Sequence, residues 1–113
     1  MKLLFTDLDG TLLNREKKIS SENLKAIERA SRQGNITIIS TGRSLSSARP
    51  YIEELASVQE HCYAVTYNGG LIYDCISRKV IYKKTIPLPY VKYIFHQAEK
   101  FQIHCQTYED GYV

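Results

Sequence analysis

Apolar residues come in two alternating rhythms along the chain. Lys2 to Leu8, with the apolar run Leu3-Leu4-Phe5, reads as a fully buried strand. After Leu12 and Leu13, the polar run Asn14 to Lys18 predicts an exposed loop. Leu24, Ile27 and Ala30/Ser31 then recur at helical spacing, with Ser20 or Ser21 as N-cap, Glu22 in the first turn and Gly34 as the stop. Ile36-Thr37-Ile38-Ile39-Ser40 is a β-branched strand, so the first 40 residues read as a right-handed βαβ unit with parallel strands.

Leu45, Ala48, Ile52 and Leu55 mark a second amphipathic helix, with Pro50 near its first turn and Ser46 or Ser47 as cap. Tyr63 to Tyr67 predicts a third strand, closed by Asn68-Gly69-Gly70. Leu71 to Asp74 and Lys79 to Thr85 read as a hairpin around Ile76-Ser77-Arg78. Pro87 and Pro89 interrupt the chain, and Val91, Ile94, Phe95, Ala98 and Phe101 form a third helical stripe, expected to pack against a sheet. Ile103 to Tyr108 reads as a further strand, Glu109-Asp110-Gly111 as a turn, and Val113 as the start of another strand. Strand and helix alternate, which predicts an α/β fold with a Rossmann-like parallel core.

The 113 residues amount to about one domain, with an apolar fraction of 43% and a charged fraction of 24%, as in globular proteins. No run approaches the roughly 18 apolar residues of a membrane span, and no charged-then-apolar leader precedes the first strand. Cys62, Cys75 and Cys105 lack metal-ligand spacing and read as reduced thiols of a cytoplasmic protein. The net charge of +3 suits an anionic small molecule, whereas Lys17-Lys18 and Lys83-Lys84 are too short to argue for nucleic acid. His61, His96 and His104 have no ligand spacing and read as structural or solvent-facing. The tyrosines read mainly as strand formers, with Tyr108 or Tyr112 a possible stacking surface for a sugar.

Candidate chemistry gathers at the predicted strand ends. The first strand runs into Asp7-Leu8-Asp9-Gly10-Thr11. Alternation would put both carboxylates on one side, about 6–7 Å apart. Like charges so close call for a cation, a shared proton or different surroundings. Asp and Gly also make ordinary turns, so this stretch alone admits both readings. The second strand ends in Thr41-Gly42-Arg43 and the third in Asn68-Gly69. With a phosphate as ligand, Asp7 could be the nucleophile and Asp9 the acid and base. Mg²⁺ would offset the repulsion between carboxylates and phosphate. Thr41 and Gly42 could hold phosphoryl oxygens, and Arg43 either a substrate anion or a surface carboxylate.

Asp7-Leu8-Asp9-Gly10-Thr11-Leu12-Leu13, Ser40-Thr41-Gly42-Arg43 and Asn68-Gly69-Gly70, in that order, resemble the haloacid dehalogenase superfamily, and most of all its Cof-type sugar phosphatases. The resemblance implies an Mg²⁺-dependent phosphomonoesterase acting on a small sugar or nucleotide phosphate. Asp7 would be nucleophile and metal ligand, and Asp9 acid/base and metal ligand through its main-chain carbonyl. Thr41 would bind phosphate, with Gly42, Arg43 and Asn68 shaping the substrate end. It also implies a core over residues 1–82 and the beginning of a cap domain over 83–113.

The family's phosphate-steadying lysine and its later acidic pair have no counterpart here. Lys83, Lys84 and Lys100 lie in other segments, and Glu109-Asp110 precedes a glycine turn. The chain is therefore expected to be the N-terminal part of a phosphatase, with little activity alone. In the family's sheet the first strand is central, so Leu3 to Phe5 should form an exposed apolar edge that self-associates or recruits a partner. The alternative is a non-catalytic truncated protein that binds Mg²⁺ or phosphate weakly, or only assembles. A phospho-accepting receiver domain fits worse, because its phosphorylated Asp should lie later in the chain.

Overall fold

A computed structural model describes residues 1–108. The chain divides into two compact units, one spanning Met1–Lys83 and the other beginning at Lys84.

The first unit is a five-stranded sheet in the order β1-β2-β3-β4-β5, formed by β1 (Leu3–Thr6), β2 (Ile36–Ser40), β3 (Tyr63–Thr66), β4 (Leu71–Asp74) and β5 (Lys79–Lys83). The β1–β2 and β2–β3 pairs are parallel, and the β3–β4 and β4–β5 pairs antiparallel. Helices α1 (Ser21–Arg32) and α2 (Leu45–Ala56) provide the two parallel crossovers. Successive right-handed crossovers running in one direction place both helices on one face of the sheet. Accordingly Ile27 of α1 and Ala48, Ile52 and Leu55 of α2 share a core with Ile39 and Ala64.

Helix α1 begins at Ser20, whose side chain accepts from the Asn23 N–H at 3.2 Å, and Gly34 follows its C-terminus. Helix α2 departs from expectation. Its cap is Ser44, which accepts from the Ser47 N–H at 3.2 Å, so Pro50 lies in the second turn. The bond Pro50 cannot donate is the one to the Ser46 carbonyl, four residues back.

Strand β3 pairs with β2 only at Ile39–Ala64 and Ser40–Val65. Gln59, buried ahead of β3, serves the earlier part of β2. Its Oε1 accepts from the Thr37 N–H at 2.7 Å, and its Nε2 donates to the Thr37 carbonyl at 3.0 Å. One side-chain amide thus stands in for a strand neighbour.

Strand β1 lies at the edge of the sheet, with Leu3, Leu4 and Phe5 exposed at 52%, 60% and 56%. The hairpin of β4 and β5 turns on Asp74, whose Oδ1 accepts the N–H groups of Ile76 (2.9 Å) and Ser77 (3.1 Å).

In the second unit, α3 (Leu88–Lys100) starts behind Pro87, with Pro89 in its first turn. Only Ala98 of its stripe is buried, and Ile94, Phe95 and Phe101 are exposed. The expected packing of this stripe against a sheet is therefore not present among the described residues. Ile103 to Tyr108 forms no strand either, because an extended segment becomes one only by pairing and this one has no ladder partner among the described residues. The expected turn at Glu109-Asp110-Gly111, Tyr112 and the strand start at Val113 lie outside the described residues.

Candidate active site

The carboxyl ends of the three parallel strands carry the site. At the first, β1 stops at Thr6, so the alternation expected to align Asp7 with Asp9 does not extend that far. Asp7 is still extended (ψ 161°), but Asp9 (φ −74°, ψ 119°) and Gly10 (φ 77°, ψ 2°) are the two corners of a type II turn. The second corner needs a positive φ, which glycine alone adopts freely. The turn is held by the Leu12 N–H on the Asp7 carbonyl (3.1 Å) and the Leu13 N–H on the Leu8 carbonyl (2.9 Å). Leu8 and Leu12 anchor it in the core and leave the Asp7 and Asp9 side chains exposed. The turn and catalytic readings of this stretch are thus compatible.

The segment expected to be a plain exposed loop has its own architecture. Leu13 and Ile19 bridge across it, and the Asn14 Oδ1 accepts from the N–H groups of Glu16 (2.9 Å) and Lys18 (3.0 Å). This tight turn brings the Lys17 Nζ to within 2.8 Å of the Asp9 Oδ1.

At the second strand end, Thr41 is buried and its Oγ1 accepts from the Arg43 N–H at 3.2 Å. A hydroxyl has one proton to donate, so this arrangement leaves that proton for another partner. The Arg43 guanidinium forks onto Asp9, Nε to Oδ2 at 2.7 Å and Nη2 to Oδ1 at 2.8 Å. It also lies over the Tyr51 ring, 5.2 Å from the centroid. Of the two roles open to Arg43, the structure shows the carboxylate pair, and the carboxylate belongs to the site itself.

The bidentate hydrogen bonds from Arg43, joined by the one from Lys17, hold the Asp9 carboxyl well below the ordinary carboxylate range. The same hydrogen bonds raise the Arg43 guanidinium further above its usual value.

The third strand end lies against the second. Tyr67 and Asn68 are left-handed (φ 52° and 53°), a conformation Asn tolerates and Tyr rarely adopts. Two main-chain bonds hold this turn in place, the Tyr67 N–H on the Arg43 carbonyl (2.9 Å) and the Asn68 N–H on the Thr41 carbonyl (3.3 Å). Gly42 makes the approach possible, since a Cβ there would meet the Asn68 Oδ1 at 2.8 Å. Just behind, the Thr66 Oγ1 is buried without a hydrogen-bond partner among the described residues. Strain and an unsatisfied polar atom side by side are features that concentrate at functional sites.

Asp9, Thr41, Gly42, Arg43 and Asn68 therefore form one connected cluster, with Asp7 at the base of the turn that carries Asp9. Sequence reasoning gave no role to Lys17, Tyr51, Thr66 or Tyr67. The Asn14 turn between Leu13 and Ile19 was the available signal for Lys17.

The Asp7 carboxylate and Asp9 carbonyl are hard oxygen donors suited to Mg²⁺, which usually keeps waters and substrate phosphate in its remaining positions. Among the described residues, no three His, Cys, Asp or Glu side chains are grouped to hold a metal by themselves.

A family model described as haloacid dehalogenase-like hydrolase matches residues 4–113. The chain belongs to this family. It is 39% identical over 92 residues to the 5-amino-6-(5-phospho-D-ribitylamino)uracil phosphatase YcsE of Bacillus subtilis, covering 78% of this chain and 36% of that protein. It is 28% identical over 109 residues to the pyridoxal phosphate phosphatase YbhA of Escherichia coli, covering 96% of this chain and 39% of the relative. A solved haloacid dehalogenase-like hydrolase from B. subtilis superposes with a TM-score of 0.77 at 31% identity, over 90% of this chain and 34% of the other. The chain thus spans little more than a third of the relatives it matches. Those matches bear out the family read from the motifs and the α/β fold read from the alternation of strands and helices, and no helix among the described residues is long and apolar enough to cross a membrane.

Proposed function

We propose that this chain supplies the nucleophile edge of a Mg²⁺-dependent phosphomonoesterase acting on a small sugar or nucleotide phosphate in the cytoplasm. Asp7 would attack phosphorus to form an aspartyl phosphate. The observation that carries this reading is the linked cluster at the three strand ends: Asp9 forked onto Arg43, and the Asn68 turn bonded to Thr41 against Gly42.

The Thr41 hydroxyl and the Asn68 turn would bind phosphoryl oxygens. An arriving phosphate competes with Asp9 for Arg43 and Lys17. As those cations turn to the phosphate, Asp9 loses the hydrogen bonds that keep it ionised and becomes able to carry a proton to the leaving oxygen. Mg²⁺, bound by the Asp7 carboxylate and Asp9 carbonyl, would neutralise charge on the transferring group.

Residues from Lys84 on would begin a cap that helps select the substrate. With a single carboxylate side chain offered to the metal among the described residues, the chain should turn over poorly alone. The test is release of p-nitrophenol from p-nitrophenyl phosphate by wild-type chain and Asp7→Asn, with and without Mg²⁺. A trace, Mg²⁺-dependent rate that Asp7→Asn removes is expected. Robust hydrolysis abolished by Asp7→Asn would refute weak activity alone, and hydrolysis indifferent to Asp7→Asn would refute the nucleophile.

A further inference from the structure

Outside this site, two thiols face each other in the sheet. Tyr63 pairs with Asp74 in the antiparallel β3–β4 ladder, so the next opposed pair beyond the strand ends is Cys62 and Cys75. The Cys75 N–H donates to the Cys62 carbonyl at 2.9 Å, which continues the ladder through them. The two are exposed at only 1% and 8%, in the core beside Ile52 and Leu55. Opposed residues of an antiparallel pair have Cα atoms about 4.5–5.5 Å apart, within the span a disulfide bridges. Their Cβ atoms stand roughly 5 Å apart and must draw together to form the bond, which favours a reversible link over a permanent one.

Cys75 is also reachable. It lines a cleft of about 350 Å³ between α2 and the β4–β5 hairpin, lined also by Arg49 of α2 and Arg78 of the hairpin turn. The arginines attract anionic reagents to the cleft. We propose that Cys62 and Cys75 are a thiol modification site that closes to a reversible intrachain disulfide on meeting a small disulfide oxidant.

The Cys75 thiol has two acceptors in reach, the Tyr73 carbonyl at 3.8 Å and the Cys62 sulfur. Turned to Cys62, it favours the Cys62 thiolate, while the Asp74 charge opposes ionisation of both. Access sets the order, since Cys75 lines the cleft and Cys62 is buried behind it. Cys75 gives up its proton, and its thiolate displaces one thiolate from the oxidant to form a mixed disulfide. The Cys62 thiolate then attacks the Cys75 sulfur and expels the second thiolate. Two protein thiols are oxidised and one small disulfide is reduced to two thiols.

The experiment treats the reduced full chain with oxidised glutathione, alkylates the remaining thiols and maps the peptides by mass spectrometry. The expected product has lost two hydrogens, carries a Cys62–Cys75 link and regains both thiols on reduction. The Cys105→Ser variant should behave identically, and Cys62→Ala should retain glutathione on Cys75. The linked form should melt several degrees above the reduced form. Cys62 and Cys75 both alkylated at an oxidant concentration that modifies Cys105, a link to Cys105 or between chains, or a linked form that melts lower would each overturn the proposal.

Discussion

Asp9 is the residue on which the site's electrostatics turn. It is exposed, yet Arg43 and Lys17 hold it ionised far into acid. A carboxyl whose folded pKa lies below its unfolded value near 4 adds stability that is present above about pH 4. That stability is lost as the pH falls through the folded value. Carboxyl NMR titration should therefore show Asp9 charged at pH 4, and Arg43→Ala should move its midpoint up toward the ordinary range, with Lys17 still holding it somewhat low. A wild-type Asp9 titrating near 4 would mean the fork does not form in solution. The acids, Thr41 and Arg43 were legible in the sequence because a strand end followed by Asp, Thr or Gly is a chemical pattern. Lys17 was not, because its role depends on the three-dimensional turn set by Asn14.

At the scale of elements, periodicity located α1, α2, α3 and all five strands to within a few residues. It placed the α2 cap late, since it treated Pro50 as a first-turn residue when the helix accommodates it in the second. It also made a strand of Ile103 to Tyr108, because local preference cannot report whether a partner is present. Gln59 shows the reverse case, a polar residue buried because the sheet needs its amide. Gln59→Leu should leave the Thr37 N–H and carbonyl unsatisfied and cost about 1–3 kcal/mol per group, up to several kcal/mol in all. Urea unfolding would measure this, with an unchanged slope and a lower midpoint. A variant as stable as wild type would show that water replaces the amide there.

For the molecule as a whole, the exposed first strand is the feature with most consequence. Leu3, Leu4 and Phe5 are apolar and more than half exposed on an edge left unpaired among the described residues, an arrangement proteins ordinarily cover or charge. The chain is expected to self-associate through it. Sedimentation velocity should show mass rising with concentration, and Leu4→Lys should shift the population toward monomer. A wild-type chain that stays monomeric across the concentration series would show that the edge is protected in solution.

The proposed function requires a single phosphoryl site shared by the ends of β1, β2 and β3. Its most direct test is an amide NMR titration with inorganic phosphate in the presence of Mg²⁺. The signals of Asp9 to Thr11, Thr41 to Arg43 and Asn68 to Gly69 should shift together along one binding curve, and Asp7→Asn should abolish the Mg²⁺-dependent part. Shifts confined instead to the cleft beside Arg49 and Arg78, or a response at the strand ends unchanged by Asp7→Asn, would contradict it.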